Sequence, residues 1–261
     1  MQLYRFEVGF SAKLVMVWIF LENFTSPPYG FETQSFPNIL ISLGIVGVFF
    51  ISIVIHEFSH AITMTLLGIK VEKIKLMFFG GYTQAMEGYG DHDTWPPFKD
   101  FCISFVGPLS NITIALILYS VFWDTPVYRV VEIVMGTGNL SNQVDVGSHL
   151  IAYAVFFNLL VGVFNLVPVL PLDGGHVLRA ILLGFFKRRW IADLIPGMLS
   201  LGIGLFGLYL LSGNLSLSTI TNQGIFGVIG SLFDLGILGL ICLAMVIMGI
   251  VSLRKLIIIR N

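Results

Sequence analysis

Apolar residues run along this chain in six long blocks, at about 10–24, 37–67, 101–123, 149–169, 191–212 and 228–253, separated by shorter polar stretches. A helix needs about 20 mostly apolar residues to cross the hydrocarbon of a bilayer. The pattern therefore predicts an all-α polytopic membrane protein with about six transmembrane helices. The block at 101–123 carries no charge, whereas the one at 10–24 holds Lys13 and Glu22 near its ends. Between the second and third blocks the period changes. From Val71 to Phe79 the chain alternates, with Glu72, Ile74, Leu76 and Phe78 on one face and Lys73, Lys75, Met77 and Phe79 on the other. That stretch reads as a strand ending in a turn at Gly80-Gly81, a small membrane-associated hairpin, and residues 2–9 read as a short strand. No internal repeat or appended soluble domain interrupts the pattern, so residues 1–261 are expected to form one domain.

Composition agrees with that reading. Of 261 residues, 56% are hydrophobic and 11% charged, against roughly 25% charged in soluble domains. A net charge of −1 gives no reason to expect nucleic acid. Cys102 and Cys242, the two cysteines, lie in apolar stretches and read as packing residues. The apolar run "KLVMVWIFL" has the core of a signal peptide, but "ENFTSPP" lacks a small-x-small cleavage pattern, so the segment is expected to be retained. Basic residues set the orientation. Connections 25–36, 124–148 and 213–227 hold one of the 14 Lys and Arg residues, Arg129, and the opposite side holds the other thirteen. Both termini and the loops after the second and fourth blocks are thus expected in the cytosol, with the protein in the cell membrane.

Chemistry enters at Ile55-His-Glu-Phe-Ser-His60, which ends a charge-free run from Thr33 to Ile55. On a helix, His56 and His60 share a face, and Glu57 points beside them. This is the H-E-x-x-H pattern of zinc hydrolases. Three ionisable groups in hydrocarbon cost several kcal/mol unless something binds or pairs with them. With the helix ending near Gly68, a rise of 1.5 Å per residue places His60 about 12 Å and His56 about 18 Å deep. A divalent cation is the expected compensation, and a catalytic zinc takes three protein ligands. Asp173 fits the third place: it follows an uncharged run from Val146 to Leu172, and in "NLVPVLPLDGGH" Pro168 and Pro171 break the helix while Gly174-Gly175 permits close backbone approach.

Three motifs, "HEFSH", "FVGPLSN" (Phe105 to Asn111) and "FNLVPVLPLDGGH" (Phe164 to His176), occur in the order and spacing of one family. The chain resembles the site-2 protease family of intramembrane zinc metalloproteases across about residues 5–255, in a form without a PDZ-like insert or a cystathionine-synthase-type pair. The resemblance implies one Zn²⁺ per chain held by His56, His60 and Asp173, with Glu57 as general base. It places Asn165 against the substrate carbonyl or the developing oxyanion, and implies helix packing for Asn111. The implied function is hydrolysis of peptide bonds in or near the transmembrane segment of single-pass membrane proteins. An unwound substrate could add as a strand along Val71–Phe79, giving main-chain recognition; the alternative for that hairpin is simple closure of the structure.

A divalent-metal transporter or a binding-only relative are the competing functions. The outer halves of the spans lack the ionisable steps a transport path needs, and the intact Glu57 speaks against a binding-only chain. His92, between Asp91 and Asp93, is expected in a solvated loop, His149 at an interface on the outer side, and His176 in a supporting role near Asp173. "GIGLFG" (Gly202 to Gly207) matches a dinucleotide fingerprint, but no strand precedes it, so helix packing is expected.

Overall fold

The computed structural model describes residues 5–26, 35–77, 80–122, 146–214 and 239–254. In chain order the elements are β1 (Arg5–Val8), α1 (Phe10–Thr25), α2 (Phe36–Leu66), β2 (Val71–Met77), β3 (Gly80–Ala85), α3 (Pro97–Phe122), α4 (Val146–Asn165), α5 (Asp173–Phe186), α6 (Arg189–Asn214) and α7 (Gly239–Arg254). Among the described residues, four helices are long and apolar enough to cross a membrane: α2, α3, α4 and the Arg189–Leu211 part of α6. Two of the six expected spans are not among these four. The 16 residues of α1 reach about 24 Å at 1.5 Å each, short of a hydrocarbon core of about 30 Å. Of the block at 228–253, residues 228–238 lie outside the described residues.

Two compact units form, Met1–Gly90 with Val106–Phe164 and Asp91–Phe105 with Asn165–Asn261. In the first, α2 starts where Ser35 accepts a hydrogen bond from the Asn38 backbone N–H at 3.2 Å, with Pro37 in the opening turn. It stops at Gly68, whose φ of +79° only glycine adopts freely. The Ile69 N–H returns to the Met64 carbonyl at 2.8 Å and the Gly68 N–H to Thr65 at 3.0 Å, a Schellman closure. Val15 and Ile19 of α1 pack on Ile41 and Ile45 of α2, flanked by Leu150 and Tyr153 of α4. Outward, Leu43, Ile51 and Ile62 of α2 and Leu116, Ile117 and Val121 of α3 are exposed, while Asn38, Ser42, Ser52, His56, Glu57 and His60 are buried. Greasy outside and polar within is the distribution lipid selects.

The sheet order is β1-β2-β3, with β1 parallel and β3 antiparallel to β2. Residues 2–9 do supply a strand in Arg5–Val8, and Val71–Met77 is a strand as the alternation predicts. Two expectations change. Gly80 and Gly81 do not form the turn; they open β3, paired with Met77 and Leu76, and Phe78 and Phe79 lie outside the described residues. More consequentially, β2 is the central strand, with β1 along residues 73–76 on one side and β3 on the other. A guest strand cannot pair along Lys73–Leu76, because both sides of that stretch are already hydrogen-bonded. A bulge between Val71 and Lys73 also turns Glu72 outward, so that Val71, Ile74 and Leu76 form the buried set. Leu76 packs with Ala12 of α1 and Ile53 of α2, which fixes the sheet against the helices that carry the candidate chemistry.

In the second unit, Leu166 to Leu172 reverses the chain tightly ahead of α5. A side chain at Gly174 would strike the Leu166 and Val167 carbonyls, and one at Gly175 would lie 2.7 Å from the Leu170 nitrogen. Ser200 of α6 donates to the Pro196 carbonyl at 2.6 Å and lies 2.7 Å from the Leu170 nitrogen, which donates to it. The Gly202 to Gly207 motif is a helix contact: Gly204 faces Val246 and Gly207 faces Cys242, both on α7.

Candidate functional site

Helical spacing puts His56 and His60 one turn apart on α2, ring centroids 4.8 Å apart, both buried with Glu57 between them. Their donor atoms lie within 4.8 Å of one another. Both rings aim Nε2 at Gly107 of α3. A Cβ there would collide with His60 Nε2 and lie 2.6 Å from its Cε1 and 2.8 Å from His56 Nε2. The "FVGPLSN" motif thus supplies an absence of atoms where two imidazole nitrogens converge.

Asn111, one turn further along α3, does more than fill space. Its Oδ1 lies 2.7 Å from His56 Nδ1, and its Nδ2 donates to the Ser52 carbonyl at 3.0 Å and to Asn158 Oδ1 at 2.7 Å. Asn158 of α4 is oriented in turn, donating to the Ala154 carbonyl at 2.8 Å and to Ser52 Oγ at 3.0 Å. Carbonyl oxygens only accept, so each link fixes the next. Asn111 Oδ1 must accept, and His56 Nδ1 must carry the proton. The neutral ring then presents a bare lone pair at Nε2, the tautomer a metal ligand requires. These residues fit a bound divalent cation by donor type, convergence and tautomer. Helix packing alone, expected for Asn111, understates its part.

Glu57 is placed from the sheet side. Thr83 Oγ1 on β3 lies 3.1 Å from both the Glu57 carbonyl and Oε2. A Cβ at Gly81 would stand 2.7 Å from Glu57 Cγ and Cδ, so β3 can lie against the carboxylate because Gly81 has no side chain. Thr83, Gly81, Gly107 and Asn158 were not identifiable from local spacing. Of the other expected site residues, Asp173 is the first residue of α5, half-buried, and Asn165 is the last of α4. Both belong to the second unit, at opposite ends of the Leu166 to Leu172 reversal.

Residues 44–205 match the model of Peptidase family M50. That stretch holds all three motifs and more than half of the chain. The chain belongs to peptidase family M50. A zinc metalloprotease of Methanocaldococcus jannaschii is 33% identical over 184 residues, covering 68% of this chain and 46% of that protein. Stage IV sporulation protein FB of Bacillus subtilis is 25% identical over 126 residues, covering 48% of this chain and 36% of its own. The M50 chain thus spans less than half the length of these curated relatives. The solved site-2 protease from M. jannaschii shares the fold, with a TM-score of 0.54 at 21% identity over 97% of this chain and 95% of that one. With its four long apolar helices, this M50 member is a membrane protein.

Two other histidines, His92 and His149, depart from expectation, and His176 lies against the first of them. His92 is not merely solvated: its Nδ1 lies 2.5 Å from Asp100 Oδ1, and its ring stacks on His176 with centroids 3.9 Å apart. His176 accordingly joins a cluster within its own unit. His149 is 2% exposed, buried at the start of α4.

Proposed function

We infer that this chain is an intramembrane zinc endopeptidase acting on the transmembrane segment of single-pass membrane proteins. The observation that carries the reading is the convergence of His56 Nε2 and His60 Nε2 on Gly107, with the His56 tautomer fixed by Asn111 and Glu57 alongside. Asp173 is the third ligand, on its place in the "LDGGH" motif, for one Zn²⁺ per chain. When bound, Zn²⁺ supplies Lewis acidity and lowers the pKa of a ligated water toward 7. Glu57 takes a proton from the attacking water and returns it to the departing amine. Asn165 donates its amide to the oxyanion that develops on the scissile carbonyl.

A hydrogen-bonded helix hides its carbonyls, so the substrate must open. The outer edge of β3 offers backbone pairing beside Glu57, in place of β2, whose two sides are taken. The thirteen-to-one split of basic residues supports a cytosolic setting for the helix ends that carry them and a site nearer that face. The protease names of the M50 relatives favour this reading over metal transport.

The test is cleavage of tagged single-pass substrates by zinc-quantified wild type and Glu57→Ala in detergent. Wild type should cut within the apolar segment. Glu57→Ala should keep its zinc and lose the rate by several orders of magnitude; retained cleavage would remove Glu57 as the base. Separately, Asp173→Ala should lower zinc occupancy, and unchanged metal content would exclude it as a ligand.

A further inference from the structure

The second unit contains a cluster that the proteolytic chemistry does not use. His92 lies in the loop ahead of α3, Asp100 in the first turn of α3, and His176 on α5. Each offers one donor atom, and the three lie within 4.8 Å of one another. Both imidazoles border a cavity of about 300 Å³. Two imidazoles and a carboxylate are the donor set of Zn²⁺ and its transition-metal neighbours, not of Mg²⁺ or Ca²⁺, which take oxygen ligands.

Charge makes the same demand. Asp100 is 1% exposed and Asp193 4%, and one buried guanidinium stands between them. Arg179 gives Asp193 a 2.6 Å hydrogen bond and spends a second donor on the His92 carbonyl at 2.7 Å, but reaches Asp100 only at 3.7 Å. The more exposed Asp93, at 3.3 Å from Arg179, adds a third carboxylate. Two buried carboxylates against one cation leave about one negative charge to compensate. The start of α3 supplies only about half a charge. A dication uses both rings and the carboxylate together.

We propose that His92, Asp100 and His176 form a second zinc site, separate from the imidazoles of α2. Its three protein ligands join the loop before α3 to α5, the helix that begins with Asp173. Arg179 already ties the same two segments through the His92 carbonyl and Asp93. The ion's role is structural: it holds the start of α5 in place.

The test counts Zn²⁺, as the metal alone, on the full chain in detergent after chelator stripping, with visible absorption of the Co²⁺ form as a second readout. Wild type should bind about two ions per chain, and His56→Ala/His60→Ala about one. Adding His176→Gln or His92→Gln to that background should weaken the remaining site at least about tenfold, the scale on which metal sites lose affinity when their supporting groups change. The proposal fails if the His56→Ala/His60→Ala chain binds no zinc, or if its zinc is indifferent to both glutamine substitutions. Should that background not fold, the wild-type count decides. One ion per chain, unaffected by His176→Gln, overturns the site; two ions, reduced to one by His176→Gln, support it. Neither count depends on peptide cleavage, so a failure of the protease reading leaves this result legible.

Discussion

At the scale of single residues, the candidate site depends on a few atoms in defined orientations. Asn111→Leu removes the acceptor from His56 Nδ1, and the ring loses what fixes its tautomer. Zinc affinity should fall about 10- to 100-fold, as for other partners of metal-ligating histidines, measured by competition with a chromophoric chelator. Gly107→Ala puts a methyl group against both Nε2 atoms. Metal content should fall to near zero while far-UV circular dichroism keeps its helical amplitude. The H-E-x-x-H spacing was legible because helix periodicity makes i and i+4 neighbours whatever surrounds them. Asn111 was not legible as a partner of His56, because that bond joins residues 55 apart in the chain and depends on how α2 and α3 meet. The same holds for Thr83, 26 residues from Glu57.

At the scale of elements, starts and stops were written locally and pairings were not. The apolar block at 37–67, ending just before Gly68, located α2 closely, since a cap and a left-handed glycine act within a few residues of themselves. Gly68→Ala should cost about 1–2 kcal/mol, because an L side chain is strained at φ +79°, and thermal unfolding in detergent should show a lower midpoint. The alternation of β2 was legible for the same reason. Its central place was not, since that depends on a parallel partner some 68 positions earlier in the register of Arg5 with Lys73. Gly80-Gly81 resembles a turn by composition, yet both residues belong to β3, and Gly81, lacking a side chain, lets that strand rest on Glu57.

At the scale of the whole molecule, the balance of charge buried in an otherwise greasy protein becomes the question. Arg179→Met would leave Asp193 and Asp100 facing each other without the guanidinium that holds them. Removing one partner of a buried pair costs about 3–5 kcal/mol, so this variant should unfold at a clearly lower temperature in detergent, whereas Arg254→Met, at an exposed helix end, should not. The sheet has a consequence of another kind. With β2 enclosed, the edge beside Glu57 that has no strand partner among the described residues belongs to β3 and offers peptide groups, which every polypeptide can match. An enzyme that grips its client this way examines how readily a helix comes undone, not which letters compose it. Glycine or proline placed midway along a client's span should then speed its cutting more than any exchange of one apolar side chain for another. Discrimination would reside in the client's own fragility.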